Sequence, residues 1–313
     1  MEPLTAIVLC NDSIAIHAVQ TLAFNQQLMA VAIPASNKEV IREVREILPT
    51  NIPVIELNKK EWKQQVKALF SSPGSNLGLL MTFPWKLDRD TICLPARGFY
   101  NFHYGLLPQY RGADPLFYQV KNREPFAGLT IHLVEEAMDE GNIVMQEKMQ
   151  LKKNYTYGWL KNSMSFLGGQ MAGKLMEILS YSEKLITRPQ DKEKAVWFNR
   201  PGPEQVMINW EEMDSDDTIA LINACNPWNK GAGAFINGMV IKILEAEKVS
   251  DSKSENFLPG RIIILNSGDV LVVTADHSMI KLKIIYTPEG FMSAGRLIEY
   301  GIKEGDMFSR PIK

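Results

Sequence analysis

Cysteine is scarce: the 313 residues contain only Cys10, Cys93 and Cys225, far apart and without Cys-x-x-Cys spacing. That excludes a disulfide framework or a thiolate metal site and fits free buried thiols in a reducing compartment. Histidine is almost as rare, and His17, His103, His132 and His277 show no ligand spacing, so no metal is implied. No apolar run approaches the roughly 18 residues of a membrane span. The opening MEPLTAIVLCND carries an acid where a secretory leader needs bases, and its apolar run is short. We therefore expect a cytoplasmic location and no membrane partner. Internal repeats and low-complexity tracts are absent too. What is present is an ordinary globular composition, 45% apolar and 22% charged, at a length that favours two domains.

Charge is nearly balanced overall, 34 basic against 36 acidic side chains for a net −2, but not along the chain. Residues 1–203 hold 23 basic and 20 acidic side chains; residues 204–313 hold 11 and 16. Lys and Arg supply most nucleic-acid affinity, so the acidic C-terminal third is a poor footprint for a polyanion.

Short apolar runs alternate with helical patterns from the start. Thr5–Cys10, Leu28–Ile33, Ile52–Leu57 and Gly78–Met81 read as strands. Between them, Ser13 is expected to cap a helix reaching Phe24, and helical spacing covers Lys38–Ile47 and Glu61–Phe70. This alternation implies an α/β fold, a doubly wound and mostly parallel sheet, Rossmann-like, with its ligand crevice at the carboxyl ends of the strands. Leu160–Leu179 reads as a long helix with Leu160, Met164, Leu167, Met171, Leu175 and Ile178 on a packed face. Residues 183–206 read as a polar linker, marking a boundary near Pro201–Pro203. Beyond it, Ser215 or Asp216 caps a helix to Cys225, and the runs 232–249, 260–265, 270–274 and 279–286 predict a small β-barrel-like, OB-like module. The expected domains are 1–203 and 204–313.

The chemistry concentrates in Gly98–Gly112, GFYNFHYGLLPQYRG. If the segment enters as a strand, Asn101 and His103 point to one face and can share a ligand. The Gly-Leu-Leu-Pro that follows breaks the strand and leaves His103 at its end, where the crevice opens. About 30 residues on, Leu129–Val134 reads as a strand carrying His132, for which a structural role is expected. The acidic loop Glu135–Gly141 then brings carboxylates within reach of an imidazole. His17 and His277, on a helix and in a turn, are poor candidates for catalysis.

Asn-x-His, then Leu-Leu-Pro-x-x-Arg-Gly, then Asp139-x-Gly 36 residues after His103, resembles the signature of the folate-dependent formyltransferase superfamily. The Asn-Pro-Trp and closing Gly-x-x-x-Gly-Asp patterns of the C-terminal part extend the resemblance over most of the chain. It implies catalytic roles for Asn101, His103 and Asp139 in moving the formyl group of 10-formyltetrahydrofolate to a primary amine. An Asn amide suits the negative oxygen of a tetrahedral species, and an imidazole near its ordinary pKa can move the amine's proton. The resemblance also implies a folate site in two loops, Met81–Leu87 with Phe83, Pro84 and Trp85, and Glu135, Glu136, Ala137 and Met138 leading to Asp139. The lesser alternative is that Phe83 and Trp85 plug the end of the sheet. Leu107, Pro108 and Arg111 would shape the turn beside the substrate. Relatives more often carry Ser where this chain has Gly105.

The acceptor is less determined. Lys38, Arg42 and Arg45 are interleaved with Glu39, Glu43 and Glu46, which reads as a self-paired helix face where tRNA-acting relatives carry a basic loop. The expected acceptor is therefore a small-molecule or carrier-bound amine, namely a nucleotide-linked amino sugar or a carrier-bound aminoacyl group. Initiator methionyl-tRNA is the alternative; hydrolysis of the formyl donor and folate binding without catalysis remain further readings.

Overall fold

The computed structural model describes residues 4–182, 185–253 and 256–309. The chain separates into two compact units, one of Met1–Pro115, Ala127–Met149 and Lys161–Phe198, the other of Leu116–Phe126, Gln150–Leu160 and Asn199–Lys313. In chain order the elements up to residue 198 are β1 (Thr5–Cys10), α1 (Ile16–Phe24), β2 (Leu28–Pro34), α2 (Lys38–Ile47), β3 (Val54–Leu57), α3 (Trp62–Phe70), β4 (Ser75–Met81), α4 (Arg89–Ile92), β5 (Phe99–His103), β6 (Arg111–Gly112), α5 (Pro115–Lys121), β7 (Phe126–Leu133), β8 (Ile143–Gln150), α6 (Tyr157–Tyr181) and β9 (Trp197–Phe198).

Seven strands form one sheet in the order β3-β2-β1-β4-β5-β7-β8. The pairs from β3 through β5 are parallel, as the alternating pattern predicts. Residues 6–10 of β1 are all buried and so are most of β2 and β4, the continuous apolar runs that a sheet covered on both faces requires. β5 and β7 run antiparallel, so the sheet is mixed at the edge that carries the Asn-x-His motif. The antiparallel register places Asn101 opposite His132 and His103 opposite Thr130.

Several local expectations are corrected. Asp12, not Ser13, caps the first helical segment. Its backbone is extended, as a cap requires, and its carboxylate accepts from Ile14 N in a short 3-10 turn leading into α1. Along α6, Leu160, Met164, Met171 and Leu175 are buried, but Ile178 is exposed. The buried face also takes in Ala172, Met176 and Leu179, so it is centred to one side of the expected file and Ile178 falls on its margin. Cys93 is exposed, unlike Cys10 and Cys225. Of the supposed linker 183–206, residues 183 and 184 lie outside the described residues, 185–198 belong to the first unit, where β9 pairs with β6 and Arg188 exchanges backbone hydrogen bonds with Ile143, and 199–206 belong to the second.

The second unit contains α7 (Ser215–Cys225), capped by Asp214 rather than by Ser215 or Asp216, and the strands β10 (Ala232–Ile236), β11 (Met239–Lys253), β12 (Ile262–Ile264), β13 (Val270–Val273), β14 (Ser278–Thr287) and β15 (Gly290–Ser293). The apolar stretch 232–249 is interrupted by a hairpin turn at Asn237-Gly238, both at positive φ, the geometry Asn-Gly favours. The antiparallel path runs β10-β11-β14-β13-β12, with β15 beside β14. Residues 305–309 bond to both ends of that path, through Ser309 N to Phe235 O and through Ile262 N to Asp306 O. This covers the two edges and makes the sheet barrel-like. No helix among the described residues is long and apolar enough to cross a membrane.

Candidate functional site

His103 is the last residue of β5, and the turn after it is built by the neighbouring strand. Buried Thr130 donates to Gly105 O at 2.6 Å and accepts from Leu107 N and from Gln146 Nε2, while Gln146 also donates to Leu107 O. The Leu-Leu-Pro turn is thereby fixed. It returns the chain so that Tyr110 O accepts from His103 Nε2. With its proton on Nε2, the neutral imidazole keeps its lone pair on Nδ1. That atom lies 3.6 Å from Asp139 Oδ1.

Asp139 reaches this position from an exposed loop. Its backbone is left-handed, φ 54°, a conformation that short polar side chains tolerate and that clusters at functional sites. Its Oδ2 accepts from Gly112 N at 2.9 Å, and its Oδ1 stands between two imidazoles, 3.6 Å from His103 Nδ1 and 3.7 Å from His132 Nε2. Gly112 has φ 95°, and a side chain there would overlap Phe198 O, so the N–H that holds the carboxylate depends on glycine.

His132 is the residue that sequence reasoning missed. Its Nδ1 donates to Leu133 O at 2.7 Å, so Nε2 is the acceptor for the Asn101 amide, 3.0 Å away. One hydrogen of the Asn101 Nδ2 is thus committed and the other remains for a ligand. A signal existed in the sequence, a His in each of two strands that both precede loops, but only the cross-strand register makes His132 the partner of Asn101.

Burial sets the electrostatics. His103 and Asp139 are 6% and 7% exposed. Desolvation pushes the His103 pKa below its ordinary value; Asp139 opposes this, and His132 and Arg111 add to it. Burial also works against ionisation of Asp139, but the His103 imidazole, His132 and the Gly112 N–H outweigh it and hold the carboxyl at about 2. Near neutral pH the arrangement is an ionised carboxylate facing a neutral imidazole, a base whose protonated form already has a partner.

The structure places the other expected residues as follows. Arg111 is buried and pairs with Glu140 at 3.1 Å, so it anchors the Asp139 loop; Leu107 is buried in the turn and Pro108 is half-buried. Met81 and Leu87 are buried in the core, so Met81 does not form an apolar wall for a ligand. Phe83 and Trp85 pack on Trp62, with ring centroids 5.6 and 5.5 Å away, and on each other at 5.4 Å. Pro84 is exposed. Val134 packs against the same core cluster as Phe83 and Trp85, so the second loop, exposed at Glu135, Glu136, Ala137 and Met138, leaves the sheet beside the first. A side chain at Gly105 would crowd Pro115, Tyr110 and His103 Nε2. Among the described residues no group of three or more His, Cys, Asp or Glu could hold a metal ion.

A family model described as formyl transferase matches residues 11–174, and one described as formyl transferase, C-terminal domain, matches residues 202–295. A methionyl-tRNA formyltransferase of Clostridium tetani is 27% identical over 268 residues, 84% of this chain and 85% of its own length. One of Kosmotoga olearia is 29% identical over 283 residues, covering 87% and 86%. Among solved structures, an N-formyltransferase from Helicobacter canadensis, in complex with folinic acid and dTDP-3-aminofucose, superposes with a TM-score of 0.67 at 17% identity, over 89% of this chain and 98% of its own.

Proposed function

The chain belongs to the formyl transferase family, and from that premise we propose that it is an N-formyltransferase using 10-formyltetrahydrofolate, with Asn101, His103 and Asp139 as its catalytic residues. The observation that carries this is the convergence of the three groups at the end of β5 through Asp139 Oδ1, His103 Nδ1, His132 Nε2 and Asn101 Nδ2. The folate donor fits between the loops Met81–Leu87 and Glu135–Asp139, its ring held by backbone groups and the edges of Phe83 and Trp85, beside exposed Pro84. Residues 1–203 do the chemistry, and residues 204–313 form the accompanying C-terminal domain.

A primary amine attacks the formyl carbon, and the uncommitted N–H of Asn101 donates to the oxygen that becomes negative, an interaction typically worth about 3–4 kcal/mol of barrier. His103 Nδ1 takes the proton the amine must lose, and Asp139, already ionised, pairs with the imidazolium so formed. The carbon–nitrogen bond to the donor then breaks, and His103 returns the proton to the departing nitrogen. One N–H is consumed and one formed, so the site ends as it began. Burial keeps His103 neutral and ready for the first transfer.

For the acceptor, a nucleotide-linked amino sugar or a carrier-bound aminoacyl group is supported by the charge pattern of α2. Lys38 and Arg45 both pair with Glu56, at 2.6 and 3.0 Å, and Arg42 pairs with Glu46 at 3.9 Å. Those cations are already matched, which leaves little excess charge for a phosphate backbone. The second reading, initiator methionyl-tRNA, is favoured by the names of the sequence relatives. The deciding experiment offers 10-formyltetrahydrofolate with dTDP-linked amino sugars, aminoacyl carrier proteins and methionyl-tRNA. We expect turnover on one of the first two; turnover on methionyl-tRNA alone selects the second reading, and formate release without any acceptor indicates hydrolysis.

A further inference from the structure

The carboxylate of Asp139 sits on a loop whose preceding residues, 135–138, are all exposed, and something outside that loop must hold it against the imidazoles. The holder is in the segment that reads as a linker. Gln190 Nε2 donates to Asp139 O at 2.7 Å and to Gly141 O at 2.8 Å, while its Oε1 accepts from Arg111 Nε at 3.2 Å and Nη2 at 2.9 Å. Both hydrogens and both lone pairs of one carboxamide are used, the hydrogens on the Asp139–Gly141 loop and the lone pairs on Arg111. Arg111 extends the clamp through its ion pair with Glu140, so residues 139, 140 and 141 are each tied down. The segment that presents Gln190 is itself fixed on both sides, by the Arg188–Ile143 backbone pair and by the pairing of β9 with β6. β6 includes Gly112, whose N–H holds the other oxygen of Asp139.

We propose that Gln190 is a positioning residue for Asp139: its carboxamide locks the backbone of the Asp139–Gly141 loop to Arg111 and thereby sets the distance between the Asp139 carboxylate and His103 Nδ1. The proposal rests on the catalytic reading of Asp139 given above. A side chain that only stabilised the fold would bond anywhere along the segment. This one bonds to the carbonyl of the carboxylate-bearing residue and to the buried arginine two residues after Tyr110's neighbour Gln109, on the turn whose carbonyl fixes the His103 tautomer. Its loss should let the carboxylate swing from His103 while the turn, held separately by Thr130 and Gln146, stays in place.

The test is Gln190→Met, which keeps volume and charge but removes all four hydrogen bonds. It is compared with wild type and with Asp139→Asn in the whole protein, using the acceptor identified in the panel above. Turnover per folded enzyme should fall about 10- to 100-fold, as for other residues that orient a catalytic group. KM for 10-formyltetrahydrofolate should stay within about two-fold. The charged and titratable groups facing His103 are Asp139, His132 and Arg111, with Glu140 behind Arg111. Moving Asp139 away removes the one that favours the imidazolium, so the acid limb of the kcat profile should shift to lower pH, by about one unit. An NMR titration of the imidazoles, tractable with four histidines in the chain, reads the same shift with no acceptor present. Turnover within two-fold of wild type, or a loss with the acid limb and the His103 titration unmoved, overturns the proposal. If Gln190→Met folds poorly, Gln190→Ala is read by the same titration. Should Asp139→Asn itself leave transfer intact, the reading of the site fails; should it silence transfer while Gln190→Met does not, only the role of Gln190 fails.

Discussion

Each of the two units holds an aspartate whose pKa is drawn below the ordinary carboxyl value, and the two are held in opposite ways. In the second unit, Asp276 accepts from Thr274 Oγ1 at 2.6 Å, Ser278 Oγ at 2.7 Å, Ser215 N and Ser215 Oγ both at 3.2 Å, and Ser278 N at 3.4 Å. Every donor is a neutral hydroxyl or amide, and together they satisfy both oxygens. In the first unit, Asp139 has one amide donor on Oδ2, and its Oδ1 faces two imidazole nitrogens at 3.6 and 3.7 Å, too far for ordinary hydrogen bonds. A saturated carboxylate ties a turn to the start of a helix. An unsaturated one beside a neutral imidazole is a place where an arriving proton gains a partner. The contrast separates structure from chemistry better than pKa direction does, because that points the same way for both residues.

The widest gap between the two sites should open with His103→Ala. Removing the base should lower formyl transfer about 10²- to 10⁴-fold, with no comparable effect available from any residue around Asp276. Circular dichroism should show the fold retained, and unchanged turnover would close the gap and sink the mechanism. The wild-type pH profile carries the same contrast. Because burial lowers the His103 pKa, the neutral base persists below its ordinary titration range near 6.5, and activity should fall only as pH drops through that lowered value. An acid limb above 6.5 would contradict the electrostatics of the site.

A smaller effect is expected from His132→Ala. The variant frees the Asn101 amide from its acceptor and leaves the His103 imidazole in place, so turnover should drop about 10- to 100-fold while KM for the folate donor stays near wild type. His132→Gln, whose amide oxygen can again accept from Asn101 Nδ2, should recover part of the loss. Equal losses in both variants would mean that His132 only fills space.

The parts of the site that sequence made legible are those fixed by neighbours in the chain. A strand ended by Gly-Leu-Leu-Pro places His103 at the end of β5, and α2 begins and ends where its spacing puts it. The same local logic stumbles at both helix starts with crowded caps. Asn11-Asp12-Ser13 and Asp214-Ser215-Asp216 each offer three competent side chains, and backbone geometry, not residue type, selects Asp12 and Asp214. His132 and Gln190 were illegible for a different reason. The pairing of His132 with Asn101 depends on the register of two antiparallel strands separated by a long connection, and a polar segment such as 185–198 has no periodicity to show that Gln190 turns inward. The closure of the C-terminal sheet by residues 305–309 was likewise hidden, because isolated bridges leave no alternating pattern.

The smallest expected effect is the one that tests the other half of the comparison. Asp276→Asn keeps one acceptor oxygen on the Thr274 and Ser215 side but loses the charge that strengthens all five contacts. Hydrogen bonds to a charged group are worth about 1.5–3 kcal/mol when buried, and discounting for the exposure of this side chain leaves about 1 kcal/mol of stability. For a unit of this size that is a Tm lower by about 2–4 °C. The sign of the pH dependence follows from the depressed pKa: the wild-type contribution is present above the unfolded value near 3.9 and is lost as pH falls below it, so the two proteins should converge in stability in acid. Formyl transfer per folded molecule should be unchanged at neutral pH. A loss of turnover in Asp276→Asn would break the comparison from its structural side, since a carboxylate whose oxygens are already filled by hydroxyl and amide donors has no means of taking part in proton transfer.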